Sequence, residues 1–352
     1  MRFPIGIQQF EENRLGDWIY VDKTAHIYNL AAGGKYFFLS RPRRFGKSML
    51  LSTLEAYFQG KKHLFKGLAI EQLETEWAEH AVLHLDLNAE KYTTPEDLTN
   101  ILDTYLREWE EKYESPEREN PSLSQRFRSV IRSAKQKSGR NVVVLVDEYD
   151  KPMLQAIGNE ELQTEFRNAL KAFYGVLKSA DGDLRFAMLT GVTKFSKVSV
   201  FSDLNNLNDI SMDDRYNEIC GISQQELHDV FDEEIGKLAI ANEQSKEEAY
   251  ETLRQRYDGY HFCPNAQGMY NPFSVLLALQ KREYSSFWFS TGTPTYLVQL
   301  MKEADLNPSA LSGYEASASE LDSIQISVDN PIAVLYQSGY LTIKGYDSRF
   351  KV

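Results

Sequence analysis

Cysteine is scarce in this 352-residue chain, which holds two, Cys220 and Cys263. They lie far apart and neither belongs to a CxxC or Cys/His cluster, which argues against a disulfide scaffold and a structural zinc site. Long hydrophobic runs are missing as well: nowhere do about 18 apolar residues follow one another. The opening MRFPIGIQQFEENRLG has neither a continuous apolar core nor a small-residue cleavage site. The reading is of a soluble, cytoplasmic protein with no membrane partner. Positive charge is the minority sign, with 39 Lys and Arg against 51 Asp and Glu and a net charge of -12. The surface as a whole therefore repels nucleic acid, and an anion site has to be a concentrated one. The six histidines show no triad or metal-ligand spacing. His84, inside AVLHLDL, reads as a packed core residue.

What is present is a set of short β-rich runs: KYFFLS (35–40), AVLHLDL (81–87), NVVVLVDE (141–148), LRFAMLTG (184–191) and NEICGIS (217–223). Near-continuous apolar strands alternating with helical patterns indicate an α/β fold, with a parallel sheet buried on both faces. SMLLSTLEAYF and ELQTEFRNALKAFYGVL carry apolar residues at helical spacing and read as crossover helices. Residues 95–137 hold two further helical patterns joined by the polar ESPERENPS. Ser223 and Glu226 have the form of a capping box, so a new helix is expected directly after the last strand. From there the chain reads as mostly helical. It passes through the aromatic YDGYHFCPNAQGMYNPF, read as domain packing, and a helix start at Thr293-Pro294. The final IAVLYQSGYLTIKGYD reads as a helix leading into a β-hairpin. The expected domains are 1–222 and 223–352.

The stretch FFLSRPRRFGKSML runs from an apolar strand directly into an amphipathic helix. A loop holds phosphate when successive backbone N–H groups and a helix N-terminus point at one spot and a lysine reaches the terminal phosphates. Gly46, Lys47 and Ser48 stand where that mechanism needs them, the Ser48 hydroxyl placed to help hold magnesium. The usual glycine five places before Gly46 is here Arg41. Pro42 fixes its own φ and pushes Arg41 toward an extended conformation, which a non-glycine residue occupies without strain. On the loop alone an alternative stays open: a basic tetrad that caps a helix or forms a solvated patch.

The second piece is Val142 to Val146 followed by Asp147 and Glu148. Two carboxylates then stand at the C-terminal end of a buried strand, where open parallel sheets bind ligands. Asp147 can hold magnesium, and Glu148 can orient or deprotonate an attacking water. Such pairs alone are often turn starters; joined to the loop, they point to a nucleotide site, with Glu148 favouring hydrolysis over phosphotransfer. Thr190 ends the fourth strand. In P-loop ATPases with an extra strand between the loop strand and the magnesium strand, a polar residue there senses the γ-phosphate; a hydroxyl bonded locally within the sheet is the equal alternative. Lys194 and Lys197 are read either as neutralising phosphate or as solvated. Arg43 and Arg44 are left between the γ-phosphate, a partner and nucleic acid.

With these residues in view, the chain resembles the bacterial AAA-ATPase-like family, whose members usually continue into a PD-(D/E)xK nuclease-type domain. The matching segments include IGIQQFEE, IYVDKT (19–24), YFFLSRPRRFGKSMLLSTLEAYF, LVDEYDKP (145–152), LTGVTKFSKVSVFSDLNNLNDIS, NEICGIS, YDGYHF, FWFSTGTPTYL and LYQSGYLTIKGYD. The resemblance implies a P-loop NTPase of AAA/STAND type whose sheet is covered by helices, followed by a mostly helical lid and a winged-helix-like module. It also implies that Arg41 in place of glycine is a family trait and that Val21 and its neighbours pack near the adenine. The sequence ends at Val352 without a nuclease motif, so DNA cleavage by this chain is not expected, whether it is shortened or a naturally short member.

The expected function is magnesium-dependent binding and slow hydrolysis of ATP, used as a switch. Glu148 and Lys47 are the expected catalytic residues. Arg43, Arg44, Phe45, Gly46, Lys47, Ser48, Met49 and Thr190 would contact the nucleotide, and Ser48 and Asp147 would hold Mg2+. A homo-oligomer and a DNA or protein partner are compatible with this reading. The alternative is a non-hydrolysing nucleotide-binding module, or a module that binds DNA or a protein partner. A P-loop kinase is disfavoured by the Asp147-Glu148 pair.

Overall fold

Neighbouring residues of each apolar run are buried on opposite sides, and this makes the runs strands. Phe37, Leu39, Val143, Leu145, Phe186 and Met188 face one core, while Phe38, Val142, Val144, Val146, Ala187 and Leu189 face another. A period of two with both faces apolar can be satisfied only by a sheet covered front and back. The computed structural model describes residues 2–116, 119–194, 206–264, 266–288, 297–298, 301–302, 311, 313–322 and 331–346.

Five strands form one parallel sheet in the order β2-β3-β4-β1-β5. They are β1 (Tyr36–Ser40), β2 (Val82–Asp86), β3 (Val142–Asp147), β4 (Leu184–Gly191) and β5 (Asn208–Asp209). The helices that accompany the sheet are α1 (Phe10–Leu15), α2 (Thr24–Gly33), α3 (Lys47–Phe58), α4 (Pro95–Tyr113), α5 (Leu123–Ser138), α6 (Lys151–Gln155) and α7 (Glu160–Ser179). Residues of α1, α2 and α3 share the core of one face, and those of α4, α5 and α7 the core of the other. The strand β4 lies between β1 and β3, with Ser40 beside Gly191 and Val146 beside Leu189. The loop after β1 and the carboxylates after β3 thus meet at the same edge of the sheet, with the end of β4 between them.

Capping chemistry sets the helix starts. Thr94 and Asp97 open α4 with Pro95 at its first turn, and Ser122 and Gln125 open α5. Ser223 and Glu226 form the expected capping box at the head of α8 (Gln224–Ala241). The helices α8, α9 (Lys246–Tyr257) and α10 (Pro272–Lys281) have a core of their own, built on Phe231, Ile235, Leu238, Leu253, Val275 and Leu279. Phe3 enters this core from the N-terminal segment, with Ile5, Ile19 and Val21 against it.

Four of the five strands expected from sequence are present. NEICGIS is not a strand: residues Asp214–Ile219 form a 3-10 turn, started by the Asp213 side chain accepting the Arg215 N–H, and Ile222 makes a single antiparallel bridge to Tyr270. The place beside β1 is taken by the two-residue β5, paired Phe37 to Asn208 and Phe38 to Asp209. His84 is half-buried and not a core residue, its Nδ1 lying 2.7 Å from Glu55 Oε2 of α3. Near the end, Pro331–Gln337 is the expected helix. Residues 338–346 follow as turn and coil, and 347–352, Thr293-Pro294 and Lys197 lie outside the described residues. Among the described residues no helix is long and apolar enough to cross a membrane.

Candidate functional site

The loop between β1 and α3 turns without glycine at its first position. Arg41 stays extended, its N–H donating to the Gly191 carbonyl at 3.1 Å and prolonging the β1–β4 pairing by one residue. The left-handed positions come later, at Arg44 (φ 67°) and Gly46 (φ 98°). Gly46 needs no side-chain space, but its φ strains any residue with a Cβ. Arg44 accepts that strain and lays its guanidinium 3.8 Å over the Phe273 ring.

The Arg41 side chain turns away from the loop into the interior. Its guanidinium donates to the carbonyls of Ser40 (3.0 Å), Ser211 (2.7 Å) and Tyr216 (3.2 Å) and lies 3.8 Å over the ring of Phe262. Burial lowers its pKa. The residue at the usual glycine place is therefore a bracket that ties the loop to the segment after β5 and to the aromatic YDGYHF stretch.

Lys47, at the head of α3, is almost wholly buried. Its ammonium donates to the Arg41 carbonyl at 3.0 Å and the Pro42 carbonyl at 3.4 Å, and lies 3.4 Å from Glu148 Oε1. Ser48 Oγ donates to Asp147 Oδ2 at 2.6 Å, and Thr190 Oγ1 donates to Asp147 Oδ1 at 2.7 Å. The ends of β3 and β4 and the head of α3 are joined through one carboxylate. Glu148 follows in a left-handed conformation (φ 53°), a strained place for a residue with a Cβ.

Behind them Asp150, fully buried, accepts from the N–H of Val192 (3.0 Å) and Thr193 (2.6 Å) and from Thr193 Oγ1 (2.7 Å). Burial, and then the charge of Glu148, push its pKa up to about 6. The carboxylate lies so close to β4 that a Cβ on Gly191 would stand 2.5 Å from Asp150 Oδ1 and 2.7 Å from the Tyr149 ring.

Gly46, Lys47, Ser48, Met49, Arg43, Arg44, Phe45 and Glu148 all line one cavity of about 670 Å³. Its far side is apolar, with Ile5, Ile19, Val21, Phe231 and Leu276. Asp147 and Thr190 stand behind Ser48 and do not line it. Phe45 contributes main chain near the cavity, while its ring packs 5.3 Å from Tyr260 and 5.4 Å from Phe262. Lys194 is not at the cavity: its ammonium pairs with Asp209 and its N–H donates to Gln337 Oε1 at 2.7 Å. Sequence reasoning missed Asp150, Lys151 and Asn88; the acidic spacing of DEYD was the one available signal.

The C-terminal part touches the loop directly. Trp288 Nε1 donates to the Arg43 carbonyl at 3.3 Å, and Gly339 packs so tightly that a Cβ there would stand 2.9 Å from Pro42. On the other side of the cavity Lys23 and Glu226 form a largely buried ion pair at 2.5 Å, fastening the N-terminal segment to α8.

A five-stranded parallel sheet covered by helices on both faces is consistent with a P-loop NTPase-like fold. Residues 4–201 match the family described as predicted AAA-ATPase. The chain is also 41% identical over 346 residues to an uncharacterized protein of the vnfD 5′ region of Azotobacter chroococcum. That alignment covers 97% of this chain and 64% of the relative, so the chain spans under two thirds of the relative's length. The chain belongs to the AAA-ATPase-like family, and membership points to nucleotide binding.

Proposed function

We propose that this chain is a magnesium-dependent ATP-binding domain that hydrolyses ATP slowly and acts as a nucleotide-controlled switch. The observation that carries the reading is the convergence of Ser48 and Thr190 on Asp147, with Lys47 held against Glu148. Lys47 would contact the β- and γ-phosphates, and the backbone amides from Phe45 to Met49 would wrap them. Arg43 and Arg44, at the cavity wall, would add positive charge. The apolar far side, with Ile19 and Val21, would take the base.

Ser48 Oγ and the Asp147 carboxylate are hard oxygen donors, and this sparse set is what magnesium takes alongside phosphates and water. They would hold the ion, which when bound neutralises phosphate charge. Glu148 would orient the water and take its proton. The water oxygen bonds to the γ-phosphorus as the bond to the bridging oxygen breaks, giving ADP and phosphate. Thr190, bonded to Asp147, would report the state of the γ-phosphate along β4.

Residues 1–222 would form the P-loop domain and 223–352 the lid and winged-helix-like module. The core built on α8 to α10 supports that division, with Phe3 of the N-terminal segment set into it. Contacts from Trp288 and Gly339 to the loop support a switch, since a change at the phosphates reaches this module through the loop's own backbone. A homo-oligomer and a DNA or protein partner fit the same scheme, as does a cytoplasmic location.

The test is ATP titration and turnover with Mg2+ for the wild type and Lys47→Ala. The variant should lose ATP affinity by about tenfold or more, and turnover should fall to background. No ATP binding by the wild type, or equal turnover in both, sinks the reading. Binding without turnover, unchanged by Glu148→Gln, would instead favour the non-hydrolysing module.

A further inference from the structure

Lys151 stands four residues beyond Asp147, at the head of α6 and directly before Pro152. It lines the same cavity as Lys47, Ser48, Glu148 and Arg43. Its ammonium donates to two oxygens of one residue, the Asn88 carbonyl at 2.5 Å and Asn88 Oδ1 at 2.9 Å. Both acceptors are neutral, so the positive charge is not spent on a carboxylate among the described residues. An ammonium has three donors, and two on Asn88 leave one over. Asn88 is itself fixed, because the Asp86 side chain at the end of β2 accepts its N–H at 2.7 Å.

A braced cation beside the water-positioning carboxylate is what phosphoryl transfer uses. Negative charge spreads over the γ-phosphate oxygens in the transition state, and a cation already in place stabilises it without reorganising. In the described residues Lys47 is engaged with two loop carbonyls and Glu148. A further cation on the same wall, closer to Glu148 in the chain than Arg43 or Arg44, would add to the charge that Lys47 brings.

We infer that Lys151 is a second phosphate-contacting lysine, which neutralises the γ-phosphate oxygens of a bound nucleoside triphosphate during hydrolysis. The inference rests on the hydrolytic reading of the same cavity. In the step concerned, water oxygen bonds to the γ-phosphorus and the bond from phosphorus to the bridging oxygen breaks, its electron pair leaving with ADP. The water proton passes to Glu148 and then to the released phosphate. Lys151 keeps its proton throughout.

The experiment compares wild type, Lys151→Ala, Lys151→Arg and Lys47→Ala in Mg2+-ATP turnover, and in affinity for ADP with and without aluminium fluoride. The expected result for Lys151→Ala is a loss of kcat of about 100-fold, with KM within about threefold. Its preference for the aluminium fluoride complex over ADP should fall by a similar factor. Lys151→Arg, which keeps the charge, should recover to within about tenfold of wild type. Equal kcat in wild type and Lys151→Ala overturns the inference. So does an equal loss of affinity for ADP with and without the fluoride, since a purely structural lysine moves both. A wild type that binds no nucleotide, or that Lys47→Ala matches, overturns the proposed function and this inference together. Loss in Lys47→Ala but not in Lys151→Ala overturns this inference alone.

Discussion

The Lys47 ammonium lies 3.4 Å from Glu148 Oε1, so the two expected catalytic groups share a charge across the cavity floor. A lysine drawn toward phosphate has to loosen that pair, which frees the carboxylate for water. Glu148→Gln should therefore bind ATP as well as or better than wild type while turnover drops by about 100-fold or more. Single-turnover kinetics beside a fluorescent-nucleotide titration would check this. Parallel loss of binding and turnover would contradict it.

Arg41→Gly writes the usual glycine into the loop, yet it should weaken the protein. It strips the carbonyls of Ser40, Ser211 and Tyr216 of a donor, the last two in buried bonds, and leaves a hole against Phe262. The expected loss is roughly 3–5 kcal/mol of unfolding free energy, read from denaturant melts. A variant as stable as wild type would show that the bracket holds nothing.

Gly191→Ala places a Cβ against Asp150 and Tyr149, both part of the packed interior. Neither can move without disturbing the donors that Asp150 accepts from Val192 and Thr193. A destabilisation of about 2 kcal/mol or more is expected, with turnover reduced further than stability alone explains. Thermal melting and activity on the same preparation decide it.

Asp150 sets a pH dependence whose sign follows from its environment. Burial, then the charge of Glu148, raise its pKa from 3.8 to about 6 in the folded chain. The folded state then holds this proton more tightly than the unfolded one. Its contribution to stability is fully present below pH 3.8 and is lost as pH rises through about 6. Denaturant midpoints measured across this window should show a downward component with rising pH in the wild type, and Asp150→Asn should remove that component. An unchanged slope in the variant would contradict the assignment.

Much of the fold is legible in the sequence. Strands β1, β3 and β4 announce themselves because both their faces are apolar, β2 because Leu83 and Leu85 alternate with polar residues, and α8 because Ser223 and Glu226 cap it. The misses share a cause, which is that tertiary contacts overrode local pattern. Asn208 and Asp209 have no strand propensity and pair only because the edge of β1 is there to receive them. NEICGIS has strand-like composition, but the Asp213 side chain starts a 3-10 turn and the edge is already taken. That Lys47 and Ser48 would meet Asp147 and Glu148 could be read, since each pair stands at the C-terminal end of a parallel strand. The inward turn of Arg41, the left-handed backbone of Arg44 and Glu148, and the bracing of Lys151 by Asn88 could not. Each depends on a partner far away in the chain.

Trp288 reaches the Arg43 carbonyl and Gly339 packs on Pro42, across more than half of the chain. Synthesis proceeds from the N-terminus, so the RPRRFGKS segment leaves the ribosome long before the residues that seat it. Contacts of such sequence separation form late, after the local helices and much of the sheet. For that interval the nascent chain carries the RPRRFGKS segment without the contacts that hold its backbone from the far end of the fold. The final seating of the loop therefore waits on residues that are made well after it.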